Sequence, residues 1–181
     1  MTARSVLQQA DIARALTRIS HEILESNRGL SSVDGEADLV LLGIPTRGVL
    51  LARRLGAILD GIQPGAVAVG ALDVTMYRDD LSKNPTRASS PTEIPPGGID
   101  GKTVILVDDV LYSGRTIRAA LDALNDFGRP RAVRLAVLID RGHRELPIRA
   151  DFVGKNLPSS AEERINVRLS EIDDSEEVTI G

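Results

Sequence analysis

Apolar residues recur at Ile12, Leu16, Ile19 and Ile23, in steps of four, three and four. That spacing lays one stripe along a helix and predicts α-helix from about Gln8 to Arg28, with Gly29 as its stop. The opposite face carries Arg14, Arg18, His21, Glu25 and Arg28. Taken alone, this second stripe reads either as a solvated helix face or as a contact surface. Ser31 to Ala37 is polar and reads as a loop. From Asp38 to Ile44 the pattern becomes a strand, its apolar run behind the leading acid unbroken as in a strand buried on both faces. Pro45-Thr46-Arg47-Gly48 breaks that run, and Val49 to Leu59 reads as a helix. A further strand is predicted near Val67 to Met76, another at Val104 to Val107 and another at Val133 to Ile139. A helix follows Thr116 to about Phe127, ended by Gly128-Arg129-Pro130. Ile148 to Lys155 comes next, and Arg164 to Leu169 and Val178 to Ile180 read as short terminal strands. Strand–helix–strand succession predicts an α/β protein with a mostly parallel sheet.

Between Leu81 and Gly101 the periodicity disappears. Pro85, Pro91, Pro95, Pro96, Gly97 and Gly98 fall there, in a loop of roughly twenty residues, far longer than the usual connection. It reads as a mobile functional loop, about residues 77–101, or as an extended arm. With 181 residues the chain is expected to form a single domain, residues 1–181. Aromatics make up only 2%, so the core must be built from Leu, Ile, Val and Ala, and there is no aromatic platform for stacking bases. The absence of cysteine excludes disulfides, thiolate zinc sites and a cysteine nucleophile. Two histidines, His21 and His143, are too few for a histidine-based metal site. No apolar run reaches membrane-spanning length and no secretory h-region opens the chain, so a cytoplasmic protein without a membrane partner is expected. The net charge of −4 is unevenly spread. Seven acids and two bases give the acidic segment 161–181 a charge of −5, which leaves +1 for residues 1–160 and permits a local basic face there.

The chemistry concentrates in Val104 to Thr116, VILVDDVLYSGRT. A buried strand ends in Asp108 and Asp109, passes through Val110, Leu111 and Tyr112, and reaches Ser113-Gly114-Arg115-Thr116 before a helix. The turn amides and the helix start suit a phosphate, and a hydroxyl from Ser113 or Thr116 can add a bond. The two carboxylates suit adjacent ribose hydroxyls. The bland alternative for the aspartates alone is a polar strand end with a helix cap. Two further polar loops follow buried strands, Pro45 to Gly48 and Asp140-Arg141-Gly142-His143. In a parallel sheet such loops share one edge and can converge on a ligand. Arg47, between Thr46 and Gly48, offers a cation and close backbone approach to an anion.

The thirteen-residue string resembles the 5-phosphoribosyl-1-pyrophosphate (PRPP) motif of the type I phosphoribosyltransferases. Thr46-Arg47-Gly48 matches their pyrophosphate loop, which in that class often carries a non-proline cis peptide. Ala15 to Ile19, Tyr77 to Lys83, Val104 to Arg118 and above all Leu138 to Asn156 are similar to the PyrR family, regulators of pyrimidine operons with uracil phosphoribosyltransferase activity. The resemblance covers nearly the whole chain. It implies the type I phosphoribosyltransferase fold, a mostly parallel central sheet flanked by helices, with a small hood and a long flexible loop.

It also implies roles. Asp108 and Asp109 would hold the ribose hydroxyls, and Ser113, Gly114, Arg115 and Thr116 the 5′-phosphate. Thr46, Arg47 and Gly48 would bind pyrophosphate, and Arg78 would reach the leaving group. Magnesium would be held mainly through PRPP, near Asp108 and Asp109. Uracil would sit against Asp140 and Arg141. Thr17, Arg18, His21, Arg144, Arg149 and Lys155 would contact a leader mRNA hairpin, with UMP or UTP as co-effector. A homodimer or higher homo-oligomer is expected. Where the family tends to carry a base near position 26, this chain has Ser26. Two other readings stay open: a salvage-only phosphoribosyltransferase, and a non-catalytic RNA-binding regulator that senses nucleotides.

Overall fold

A computed structural model describes residues 2–27, 32–33, 35–80, 82–83 and 88–181. Its centre is a parallel five-stranded sheet. In chain order, strands β4 (Leu39–Gly43), β5 (Val67–Ala71), β6 (Thr103–Leu111), β7 (Ala132–Asp140) and β8 (Phe152–Asn156) pair in the spatial order β5-β4-β6-β7-β8. β4 is buried at every position, as its unbroken apolar run requires. The period of two divides its side chains. Leu39 and Leu41 join the layer under helices α1 (Gln9–Ser26) and α2 (Arg47–Ile62), with Ile12, Ile19, Leu55 and Leu59. Val40 and Leu42 join the opposite layer under α3 (Arg115–Leu124), with Leu106, Ile117 and Leu124. Each such aliphatic side chain contributes on the order of 1.5–3 kcal/mol by leaving water. Among the described residues no helix is long and apolar enough to cross a membrane.

The apolar stripe of α1 is buried as its spacing required: Ile12, Leu16, Ile19 and Ile23 are each at most 3% exposed. The Gln8 backbone N–H donates to the Asp11 carboxylate and closes the first turn. The helix ends at Ser26; Arg28, placed in it by the sequence pattern, lies outside the described residues.

Several boundaries differ from the sequence reading. Ser32–Val33 (β2) pairs with Glu36–Ala37 (β3) inside the stretch expected to be a plain loop. Gly35, at φ 81°, supplies the left-handed turn conformation between them; Ser31 lies outside the described residues. The strand expected to reach Met76 stops at Ala71, the partner of the last residue of β4, Gly43. Beyond it the Asp73 carboxylate accepts from the Thr75 backbone N–H and hydroxyl, and Thr75–Tyr77 coil into one 3₁₀ turn.

β1 (Arg4–Gln8) had no recognisable pattern. It pairs antiparallel with β10 (Glu177–Ile180), which pairs with β9 (Ile165–Arg168). This small three-stranded sheet is the hood. β8 is an edge strand of the main sheet. In the long loop, Leu81 and residues 84–87 lie outside the described residues. The returning limb docks on β5 through reciprocal Ala71–Glu93 backbone hydrogen bonds of 3.0 and 2.8 Å.

Candidate active site

The loops after β4 and β6 meet at the carboxyl edge of the sheet, because parallel strands all end there. The Ile44 N–H donates to the Val107 carbonyl at 2.9 Å and pins the first loop to β6. The Pro45–Thr46 peptide is cis. Gly48 is buried against Val107 and Asp108, within β6.

The two acids stand within β6, not at its end. Asp108 pairs with Val137 of β7, and the ladder resumes at Val110 and continues to Leu111. The apolar run stops at Val107, but the neighbouring β7 continues to Asp140 and carries the pairing with it. Asp108 is only 8% exposed and accepts the Asp109 N–H, while Asp109 accepts the Val110 N–H at 2.8 Å. Each carboxylate thus fixes local backbone, and both line the cavity.

The turn from Ser113 precedes α3 as the sequence required. Gly114 takes φ 93° at the helix entry, where Leu146 and Ile148 pack close and any side chain would be strained. The Ser113 carbonyl accepts N–H groups of Glu145 and Leu146, so the loop after β7 buttresses the turn. Arg115 contributes its backbone here; its guanidinium pairs with Asp79 and Glu145 instead.

A cavity of about 300 Å³ lies between these loops. Pro45, Thr46 and Arg47 form one wall, and Asp108, Asp109 and Val110 another. Asp73, Thr75 and Arg78 complete it, with Ser90 from the long loop. A neighbouring hollow of about 220 Å³ is lined by residues 110–117 and by Arg78, Asp79 and Asp80. Arg78 borders both spaces: its Nη1 donates to the Thr116 hydroxyl at 2.9 Å, and Nε and Nη2 pair with Asp80. Sequence reasoning missed Asp73, which follows the apolar run of β5 just as the other site acids follow theirs.

Arg47 reaches Asp173 through Nη2, at 2.9 and 3.1 Å. The Leu169 N–H, followed by the Arg47 guanidinium, holds the Asp173 carboxyl below the usual range. Arg54, on the same helix, does the same to Glu171. A lowered folded-state value contributes stability above the unfolded pKa, and this is lost as pH falls through the folded value. The unfolding temperature should therefore be flat from about pH 7 to pH 5 and drop below about pH 4, where these groups take up protons. Thermal unfolding across that range checks this; a midpoint unchanged down to about pH 3 would contradict it.

The other expected residues are placed differently. Asp140 and Arg141 line neither cavity. Arg141 is buried, and its guanidinium donates to the Ser159 hydroxyl and to the Ser160 and Glu163 carbonyls, 4.3 Å from the Tyr112 ring centre. Asp140 accepts the Gly142 N–H and pairs with Arg144. Arg144 also donates to the Ile148 and Tyr112 carbonyls, which makes it a brace of the turn that begins at Ser113. Arg149 is exposed on the connection before β8. On α1, the Thr17 hydroxyl donates to Ala13, and Arg18 donates to the Val153 and Gly154 carbonyls on the edge of β8. That brings Arg18 beside the exposed Lys155, while His21 stands exposed one turn along.

Residues 2–170 match the phosphoribosyl transferase domain family, the class that this sheet, hood and Ser113–Thr116 turn define. A hypoxanthine phosphoribosyltransferase from Trypanosoma cruzi, in a ternary substrates complex, superposes with a TM-score of 0.73 at 16% identity, covering 97% of this chain and 93% of that one. Much nearer in sequence are two proteins named bifunctional protein PyrR. The one from Leifsonia xyli is 71% identical over 99% of this chain and 97% of its own length, and the one from Streptomyces coelicolor is 64% identical over 99% and 90%. The chain belongs to the PyrR family of phosphoribosyltransferases.

Proposed function

We propose that the protein transfers the phosphoribosyl group of PRPP to uracil, giving UMP and pyrophosphate, and that it regulates pyrimidine genes by binding a leader mRNA. The observation that carries the enzymatic reading is the cavity with Asp108 and Asp109 on one wall and Thr46 and Arg47 on the other. Carboxylates fit the ribose 2′- and 3′-hydroxyls, and the cation and amides fit pyrophosphate. The Ser113–Thr116 turn takes the 5′-phosphate, with Val110, Leu111 and Tyr112 leading into it. The bond from C1′ to pyrophosphate breaks, the bond from C1′ to uracil N1 forms, and N1 gives up its proton. Arg47 and Arg78 stabilise charge on the departing pyrophosphate. We place uracil against backbone groups of the Asp140–Arg141 segment, beyond the two hollows, which that segment does not line.

Among the described residues no cluster of three or more His, Asp or Glu could hold a metal alone. Two carboxylates beside a polyphosphate nevertheless fit magnesium, which keeps waters and binds through substrate phosphates plus one or two carboxylates. Asp108 and Asp109 would be nearest to it, and it would neutralise pyrophosphate charge. We take residues 77–101 as the segment that covers the substrate and excludes water. The protein incubated with PRPP, magnesium and each nucleobase in turn should yield UMP from uracil and little product from orotate, adenine or guanine. Comparable turnover of a purine would displace the uracil reading and leave the class intact.

The RNA surface we propose centres on α1 and the β8 edge: Thr17, Arg18, His21 and Lys155. Arg144 and Arg149 extend it only if the RNA also reaches the phosphate turn, which would couple binding to UMP or UTP. Lys155→Ala should weaken leader-RNA binding, reduce its salt slope by about one and leave uracil transfer within about twofold. Adding Arg18→Ala should abolish binding, with a modest stability loss because two β8 carbonyls lose their donor. Titration at several salt concentrations reads this, and RNA affinity unchanged in the double variant would make α1 a plain solvated face. The assembly is taken as a homodimer or larger, with the exposed Met76 and Leu121 as apolar contact candidates, and light scattering reads it.

A further inference from the structure

The acidic segment before β10 does more than close the hood. Leu169 is fully buried, and the Asp173 N–H donates to its carbonyl while the Asp173 carboxylate accepts its N–H, both at 2.8 Å. This turn is locked to α2 by Arg54, which pairs with Glu171 and Glu176. Arg54 lies seven residues after Arg47, two helical turns along the same face. The Asp173 carboxylate is therefore held at a fixed place relative to Arg47. It takes only Nη2 of that guanidinium. Nε of Arg47 is buried and has no partner among the described residues, and Arg47 borders the cavity whereas Asp173 does not. A buried donor without an acceptor is one that a ligand can complete.

We propose that Asp173 is a positioning residue for the pyrophosphate: it grips Arg47 from behind by Nη2 and so presents the remaining N–H groups of that guanidinium to the pyrophosphate of PRPP. The proposal rests on the reading of Thr46 and Arg47 as the pyrophosphate loop. Asp173 lies outside residues 2–170, the part of the chain matched to the phosphoribosyl transferase domain. A guanidinium fixed at one nitrogen loses less freedom on binding than a free one, so the benefit appears in affinity for the anion.

Asp173→Asn separates this role from a structural one. The amide oxygen can still accept the Leu169 N–H and keep the turn, while the amide NH₂ faces Arg47 as a second donor. The KM for PRPP should rise about tenfold and inhibition by pyrophosphate should weaken by a similar factor, as expected for loss of one charged hydrogen bond. The KM for uracil should hardly move, and the unfolding temperature at neutral pH should fall no further than protonation of Asp173 and Glu171 lowers it in the parent. Asp173→Glu should restore part of the PRPP affinity. In an Arg47→Ala background, Asp173→Asn should have no further effect. Calorimetric binding of magnesium pyrophosphate to the full chain and to Asp173→Asn reads the same contact without turnover. Failure of the parent protein to turn over uracil would therefore count against the function alone. Equal pyrophosphate affinity in both proteins, or no pyrophosphate binding by the parent, would overturn the positioning role. So would a uniform rise in both KM values with a lowered unfolding temperature.

Discussion

Alanine in place of Asp109 should lower kcat/KM for uracil transfer about 10²-fold or more and leave the unfolding temperature close to that of the parent. The side chain is half-buried, lines the cavity and accepts the next residue's N–H. Its removal opens no apolar void. Arg47→Ala should behave alike, since the Arg47–Asp173 pair is partly exposed and such pairs add little stability. Asp108 is the informative contrast. It is buried within the β6–β7 ladder, so Asp108→Ala should lose stability as well as rate. Steady-state kinetics beside thermal unfolding separates the three variants. Parental turnover in Asp109→Ala would mean that the ribose binds elsewhere.

The second large effect is steric. A methyl group on Gly48 would stand 2.4 Å from the Val107 carbonyl oxygen and 3.3 Å from the Asp108 Cα. Both atoms belong to the backbone of β6, so no side-chain rotation relieves the clash. The Pro45–Thr46 loop and the start of α2 must move away from the strand that carries Asp108 and Asp109. Overpacking of this kind costs about 1–3 kcal/mol. The rate should fall further than stability alone explains, by about 10²-fold or more, because the two cavity walls lose their spacing. Gly61, in the last turn of α2, serves as control. A methyl there meets nothing within 4 Å, and Gly61→Ala should stabilise by about 0.4–1 kcal/mol without change in rate. Urea unfolding with parallel kinetics reads both variants; Gly48→Ala with parental stability and rate would refute the close approach.

Both effects depend on features with different legibility. The acids after Val107, the Thr46-Arg47-Gly48 break and the Ser113-Gly114 turn stand out in the sequence because each interrupts a buried strand. Parallel topology then requires the first two to share an edge. The stripe of α1 and the unbroken run of β4 are equally local signals: a period near 3.6 and an apolar stretch each state which faces must leave water. The extent of β6 through both acids was not legible, because that pairing is set by its neighbour β7.

What the sequence by itself determined is thus the parallel α/β core, the order of its elements, and the polar loops after β4 and β6 that line the cavity. Hydrophobic periodicity and turn chemistry act over a few residues and can be read in one dimension. Only the tertiary structure decided the rest. β1 has two apolar residues and no alternation to speak of; it is a strand because β10, from the other end of the chain, supplies its partner. Arg141 and Arg144 look like free cations in a line of sequence, yet they donate to the backbone of residues 160, 163, 112 and 148. Arg47 looks like a free cation, yet Asp173 holds it. A charged side chain several ångströms long finds its partner through space, and no local pattern records which one it will be.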